Sequence, residues 1–138
     1  MKIILNNMST SIPQLQDAER LDLGGYTVYI VSATHARSEG YVELPPGKEM
    51  QRHHRSVEER LKQIEGDSVV TVFGNDGEPV VHELPRGAEL NIPAVTEHIH
   101  ANPYGKPSLT HWRFEGDIID TLEEQRMLAK RLEEERST

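Results

Sequence analysis

Between Tyr26 and Phe114 the apolar residues come in short runs, interrupted by glycine and proline: YTVYIVSA, GYVELPPG, SVVTVFGNDG, EPVVHELPRG, ELNIPAV and SLTHWRF. Side chains alternate faces along a strand, so short β-rich runs with regular turn signals predict an all-β sandwich or barrel. Asp76-Gly77 is a pair that favours tight turns, which predicts a hairpin between Val69–Phe73 and Pro79–Leu84.

The pattern changes at both ends. From Met1 to about Leu23 the sequence is mixed and polar, with Pro13 and Gly24-Gly25 as breakers. This predicts an N-terminal arm with a short strand at Ile3–Leu5, placed to cover a sheet edge or cross to a partner subunit. After Gly116 there is no glycine or proline, and Leu122, Ala129 and Leu132 fall near one helical face. A C-terminal α-helix over about 118–135 follows, with Thr121 and Glu124 spaced as a capping box.

Composition narrows the chemistry. A chain of 138 residues fits one domain over 1–138, with the β core at about 26–114. The formal charge of −8 repels a phosphate backbone, so nucleic acid is not an expected partner, nor is an anionic membrane. With no cysteine, disulfides, thiolate catalysis and cysteine-type zinc sites are excluded, and any metal must be held by His, Asp or Glu. Only Ile3, Ile4 and Leu5 are consecutive apolar residues near the start, well short of a signal-peptide core of roughly 7–15. No apolar stretch approaches the roughly 18 residues of a membrane span. A soluble cytoplasmic protein is expected.

The candidate chemistry lies in PGKEMQRHHRSVEERLKQIEG, Pro46 to Gly66. In a strand His53 and Arg55 share a face and His54 takes the other. Beyond a short turn, Glu59, Leu61 and Gln63 share one face and Arg60 and Lys62 the opposite one. Charged Arg60 and Lys62 belong in solvent, which turns Glu59 and Leu61 inward. An inward carboxylate must be paired, liganded or protonated. Further along, His98 and His100 share a face, with Ile99 opposite.

Gly47, His53, Arg55, Glu59 and Gly66 have the spacing G-x5-H-x-R-x3-E-x6-G, which resembles the first motif of the cupin superfamily, with Arg55 where its second histidine belongs. Gly87, Pro93, Val95, His98 and Asn102 resemble the second motif, G-x5-P-x-G-x2-H-x3-N, with Val95 in place of a turn glycine. Two motifs in order, separated by the Gly74–Gly77 hairpin, cover roughly Gly40 to Phe114. The resemblance implies a double-stranded β-helix, the jelly-roll cupin barrel, with His98 facing inward. His53, Glu59 and His98 would then converge as ligands for a divalent metal such as Fe, Mn, Zn or Ni.

Arg55 has no lone pair and cannot be a ligand. Its planar fork of donors suits a carboxylate or phosphate, which points to an anionic small-molecule ligand; the alternative is that it pairs with Glu59 and seals the interior. His100, on the His98 face, and Tyr104, in a Pro103-Tyr104-Gly105 turn, join Arg55 as candidate substrate contacts. His54 is read as outward, and His82 as an ordinary strand residue. His111 is weighed between the pocket mouth and a hydrogen-bonded strand position.

Three functions remain open on the sequence: a metal-dependent oxygenase or isomerase, a metal-free sugar or nucleotide-sugar isomerase or epimerase, and a non-catalytic metabolite sensor. Single-domain cupins commonly pair through a sheet edge or exchanged N-terminal strands, so the resemblance also implies a homodimer.

Overall fold

Asp76-Gly77 turns the chain back as expected: Gly77 N–H donates to the Gly74 carbonyl at 2.8 Å, and β5 (Ser68–Phe73) pairs with β6 (Pro79–Leu84). The computed structural model describes residue 12 and residues 14–137, so the expected strand at Ile3–Leu5 lies outside the described residues. A short helix, α1 (Gln14–Asp17), leads into β1 (Glu19–Asp22), β2 (Thr27–Ala33), β3 (Ser38–Leu44) and β4 (Glu59–Glu65). After the β5–β6 hairpin come β7 (Glu89–Ile92), β8 (His98–Ala101), β9 (Ser108–Phe114) and helix α2 (Ile119–Arg136).

The strands form two antiparallel sheets, ordered β1-β2-β3-β9-β4-β7 and β6-β5-β8. This is the jelly-roll arrangement expected from the sequence. In β4, Glu59, Leu61 and Gln63 are buried while Arg60 and Lys62 are exposed, because charged ends are cheapest to leave in water. The main core gathers Val28, Val42, Leu61, Val70, Trp112 and Phe114, which removes large apolar surfaces from solvent. Leu15, Tyr29, Tyr41 and Leu109 make a second, smaller cluster. The N-terminal segment supplies Leu15 to this cluster, donates an edge strand to β2, and accepts a 2.7 Å hydrogen bond from Tyr41 Oη at Gln14 Oε1. Its described part therefore covers both an edge and a patch of sheet.

β3 shows what burial does to charge. Glu43 is 7% exposed and accepts a 3.1 Å hydrogen bond from Tyr29 Oη. Burial raises its pKa above the ordinary 4.5, only partly offset by the Tyr29 hydroxyl and the Arg20 charge. A carboxyl that holds its proton more tightly when folded favours the native state at low pH. That stability is lost as pH climbs from the ordinary glutamate value through the raised one. Glu43→Gln, which keeps an acceptor for Tyr29, is therefore expected to raise the thermal midpoint at pH 7. The gain should vanish below about pH 4, where glutamate is neutral in both states. Melting curves of both proteins across that range check it.

Helix α2 begins at Ile119 rather than at the expected Thr121–Glu124 capping box, which is not formed. Asp117 Oδ1 accepts the Ile119 N–H at 3.0 Å and provides the start signal two residues earlier, leaving Thr121 inside the first turn. Ile118 and Leu122 anchor the helix in the main core, and Leu128 and Ala129 pack against it. Arg126 binds both carboxylate oxygens of Glu19 at 2.9 Å, tying α2 to β1.

Candidate metal centre and the adjoining groove

The two motifs meet through backbone first. His53 and His98 form an antiparallel bridge, His53 N–H to His98 O at 3.0 Å and the reverse bond at 2.9 Å, so their side chains leave the backbone opposite one another. Their rings meet edge to face at 4.3 Å between centroids. Glu59 reaches the same point from the start of β4, where its Cα is paired with Ile92 and Phe114. One potential ligand atom from each of His53, Glu59 and His98 lies within 4.8 Å of the others.

The second nitrogens of the imidazoles are committed. His53 Nδ1 stands 2.7 Å from the Gln51 carbonyl and His98 Nδ1 3.0 Å from that of Thr96. A carbonyl can only accept, so both rings carry a proton on Nδ1, and Nε2 keeps its lone pair when the ring is neutral. This is the hydrogen bonding that orients a ligating histidine. His98 Nε2 is 3.1 Å from Glu59 Oε1, yet Oε1 is sealed from solvent with no aligned hydrogen-bond donor. Two electron-rich atoms held so close in a buried space require a positive charge, either a proton on His98 or a cation bound by both. Ligand atoms about 2.1 Å from an ion and at right angles stand about 3 Å apart, so the pair fits a divalent metal.

Electrostatics favour a neutral His53 and an ionised Glu59. Burial, with Arg55 beside it, pushes His53 down to about 4. Burial works to raise Glu59, but the neighbouring His98 and the Arg55 charge outweigh it and hold the carboxyl below its ordinary range.

The turn preceding His98 carries a cost. Val95, at the position where the cupin motif has glycine, adopts φ 57, a left-handed conformation that crowds a β-branched side chain. Its N–H donates to the Arg55 carbonyl at 2.8 Å, which joins the second-motif turn to the first-motif loop and holds the valine there. Because Val95 is 69% exposed, its side chain adds little packing. Val95→Gly should stabilise the protein by about 1 kcal/mol, the relief of left-handed strain less the entropy of a glycine in the unfolded chain. Chemical denaturation curves with an unchanged m-value are the measurement.

The three residues line a cavity of about 30 Å³ walled by Leu61, Trp112 and Phe114 and closed by α2 through Thr121, Leu122 and Gln125. That space suits an ion and a water or two. Beside it lies a groove of about 450 Å³ between α2 and residues 50–55; Met50, His53, Arg55, Thr121 and Gln125 line both spaces. Arg55 stands at the junction. Among the described residues no carboxylate lies within ion-pairing distance of it, so it does not form the expected alternative bridge to Glu59. Its hydrogen bond is a 3.5 Å contact from Nη1 to the His54 carbonyl, at the limit for such a bond.

His100 is 3% exposed and lines the inner cavity. A buried network orients it. Gln63 Nε2 donates to the Glu65 carbonyl at 3.0 Å and Ser108 Oγ at 2.9 Å, so its Oε1 accepts from Ser68 Oγ at 2.8 Å and Thr110 Oγ1 at 2.7 Å. Both hydroxyl protons being committed, Ser68 Oγ at 3.1 Å can only accept from His100 Nε2, and the ring's lone pair resides on Nδ1. Burial pushes His100 down to about 4, so it is neutral at physiological pH.

The structure does not bring Tyr104 to these spaces. It is 37% exposed and its N–H donates to Asn102 Oδ1 at 3.0 Å in a turn outside both. His54 faces outward, 3.8 Å from Glu97. His111 meets Tyr41 edge to face and lies 3.7 Å from Glu39, a strand position rather than the mouth. Asn102, fully buried, donates to the carbonyls of Leu44 and Lys106, which makes it a loop closure rather than a ligand. Residues that the sequence did not single out are Met50, Gln125 and Leu128, and Thr121 was singled out only as a helix cap. Gln125 had a signal: it interrupts the apolar face of α2 three residues after Leu122.

No protein-family model matches the sequence, and no curated protein is similar to it. Among solved structures, an RmlC-like cupin from Shewanella frigidimarina is similar with a TM-score of 0.66 and 20% identity, over 77% of this chain and 90% of that one. Oxalate decarboxylase from Bacillus subtilis, described with Mn(II) centres, is similar with a TM-score of 0.65 and 25% identity. That match covers 75% of this chain but only 29% of the decarboxylase. An oxalate oxidase matches with a TM-score of 0.62 and 18% identity, over 69% of this chain and 53% of its own. Two antiparallel sheets, a bridge joining the two histidine motifs, and these neighbours together give the chain the fold of the cupin superfamily.

Proposed function

We propose that the protein is a metal-dependent cupin in which His53, Glu59 and His98 hold a divalent ion and Arg55 receives the carboxylate of a small acidic substrate. One observation carries the reading: a sealed Glu59 oxygen without a hydrogen-bond donor faces the Nε2 of a histidine whose Nδ1 is already committed. Two imidazoles and one carboxylate suit Fe, Mn, Zn or Ni and leave coordination positions open. The Mn(II) centres of the similar oxalate decarboxylase add weight to manganese. A bound ion would supply a Lewis acid able to polarise a carbonyl or carboxylate oxygen.

The chain's own groups do the rest. Arg55 neutralises and orients the acid at the cavity mouth, and Trp112, Phe114 and Leu122 exclude bulk water from the inner space. His100, neutral and fixed by Ser68, contributes a wall of defined polarity. An oxygenase or isomerase of a small acid is the resulting class.

A second reading follows from the same contact. If a proton rather than a metal lies between His98 and Glu59, the pair is an acid–base dyad, and the protein is a metal-free isomerase or epimerase. Metal analysis after anaerobic supplementation with Fe, Mn, Zn and Ni separates them. About one ion per chain supports the metal reading; well below one sinks it in favour of the dyad. We further propose a cytoplasmic homodimer. The outer strand β6, with Val80 and Val81 more than half exposed, offers the edge, and sedimentation at micromolar concentration tests it.

A further inference from the structure

We infer that the acid's body lies outside the jelly roll, in the groove between α2 and residues 50–55, and that the ligand is a monocarboxylate with an apolar tail. The inference rests on Arg55 as the anchor in the preceding reading.

Size is the first argument. The inner cavity, at about 30 Å³, has room for an ion and one or two waters and for little of an organic molecule. The adjoining groove, at about 450 Å³, is within the range of small-molecule sites. Charge is the second. Three arginines, Arg52, Arg55 and Arg131, line the groove against one acid, Glu124. Arg52 is already bound to Glu97 at 2.5 Å and lies over the Phe73 ring at 3.8 Å. Arg55 keeps most of its five donors unspent.

Polarity along the groove is the third. Lining the same two spaces as Arg55, Gln125 has its Oε1 buried without a partner, an acceptor placed for a donor on the ligand or its bound water. Farther along α2 come Met127 and Leu128. Met127 is 70% exposed, the largest exposure of any large apolar side chain described, yet it faces this groove rather than a core. A polar end at the metal and an apolar wall along the helix match an acid whose carboxylate points inward and whose chain runs out along α2.

Straight-chain acids from acetate to octanoate, titrated calorimetrically into the full-length metal-supplemented protein, test this. Affinity should rise about fourfold for each added methylene that the groove covers. Met127→Gln, a surface change in a helix that tolerates it, should flatten that rise and leave acetate unchanged. Arg55→Gln should weaken every acid at least tenfold without altering metal content. Equal affinity from acetate to octanoate, with Arg55→Gln still weakening all of them, overturns the groove and leaves the metal-and-acid reading standing. Acids that fail to bind, or bind alike with and without Arg55, overturn both. A dimer that Met127→Gln dissociates assigns the groove to a second copy of the chain and also overturns the inference.

Discussion

Replacement of His98 by alanine is expected to abolish stabilisation by divalent metal while leaving the apo fold intact. The bridge that joins the motifs uses the His53 and His98 main chains, so it survives loss of the imidazole. What disappears is one of the two proposed nitrogen ligands and the group facing the sealed Glu59 oxygen. Metal affinity should fall by more than about 100-fold, beyond the loss typical when only a ligand's hydrogen-bonding partner is removed. Metal at a hundred times its dissociation constant stabilises a folded protein by about 2.7 kcal/mol. In the parent protein, Mn(II), Fe(II), Zn(II) or Ni(II) should therefore raise the thermal midpoint by several degrees, and in His98→Ala it should not move. An equal shift in both proteins would place the ion elsewhere.

The other large effect is expected from Gln63→Leu, a near-isosteric change 1% exposed to solvent. Gln63 sits opposite Thr110 in the β4–β9 ladder and spends both ends of its amide on three buried hydroxyls and the partly buried Glu65 carbonyl. Leucine would strand the hydroxyls of Ser68, Ser108 and Thr110 where water does not reach, and would leave the partly buried Glu65 carbonyl without its donor. Each orphaned group costs about 1–3 kcal/mol, so the total is expected to exceed about 3 kcal/mol, a large part of a small domain's stability. The damage should also reach the site, because Ser68 would no longer be held as an acceptor for His100 Nε2. Gln63→Glu separates the two effects. It restores an acceptor for Ser68 and Thr110, but it cannot donate to Glu65 O or Ser108 Oγ and should remain destabilised. Denaturation gives the stability, and the nitrogen shifts of His100 report its tautomer. A Gln63→Leu protein as stable as its parent would refute the network.

Much of this molecule is legible without coordinates because period and spacing are local. Alternation in ERLKQ required that Glu59, Leu61 and Gln63 share a buried face, and Arg60 and Lys62 are exposed for the same reason. Asp76-Gly77 specified its hairpin through backbone conformation alone. The glycine that ends the first motif answers a comparable demand: Gly66 has φ +66, and a Cβ there would lie 2.2 Å from the Pro107 carbonyl oxygen. The resemblance of the two motifs to the cupin pattern marked His53, Glu59 and His98 as the residues that meet.

Other features depended on partners distant in sequence. Alternation placed Arg55 inward, but whether it bound Glu59 depended on the loop path, and the structure leaves it at the mouth of a groove instead. Tyr104 was a candidate substrate contact by its place in a turn, yet its backbone is claimed by Asn102 outside the site. Asp117 took over the helix start from Thr121 because its carboxylate reaches the first free N–H. Helix α2 has an apolar face at Leu122, Ala129 and Leu132 in its sequence, and only its packing on the core showed that Gln125 lines both the inner cavity and the groove and Leu128 the groove. The local chemistry of the candidate ligands was therefore determined by the sequence. The shape and polarity of the space before them were decided by long-range packing, where a side chain's environment comes from residues far along the chain.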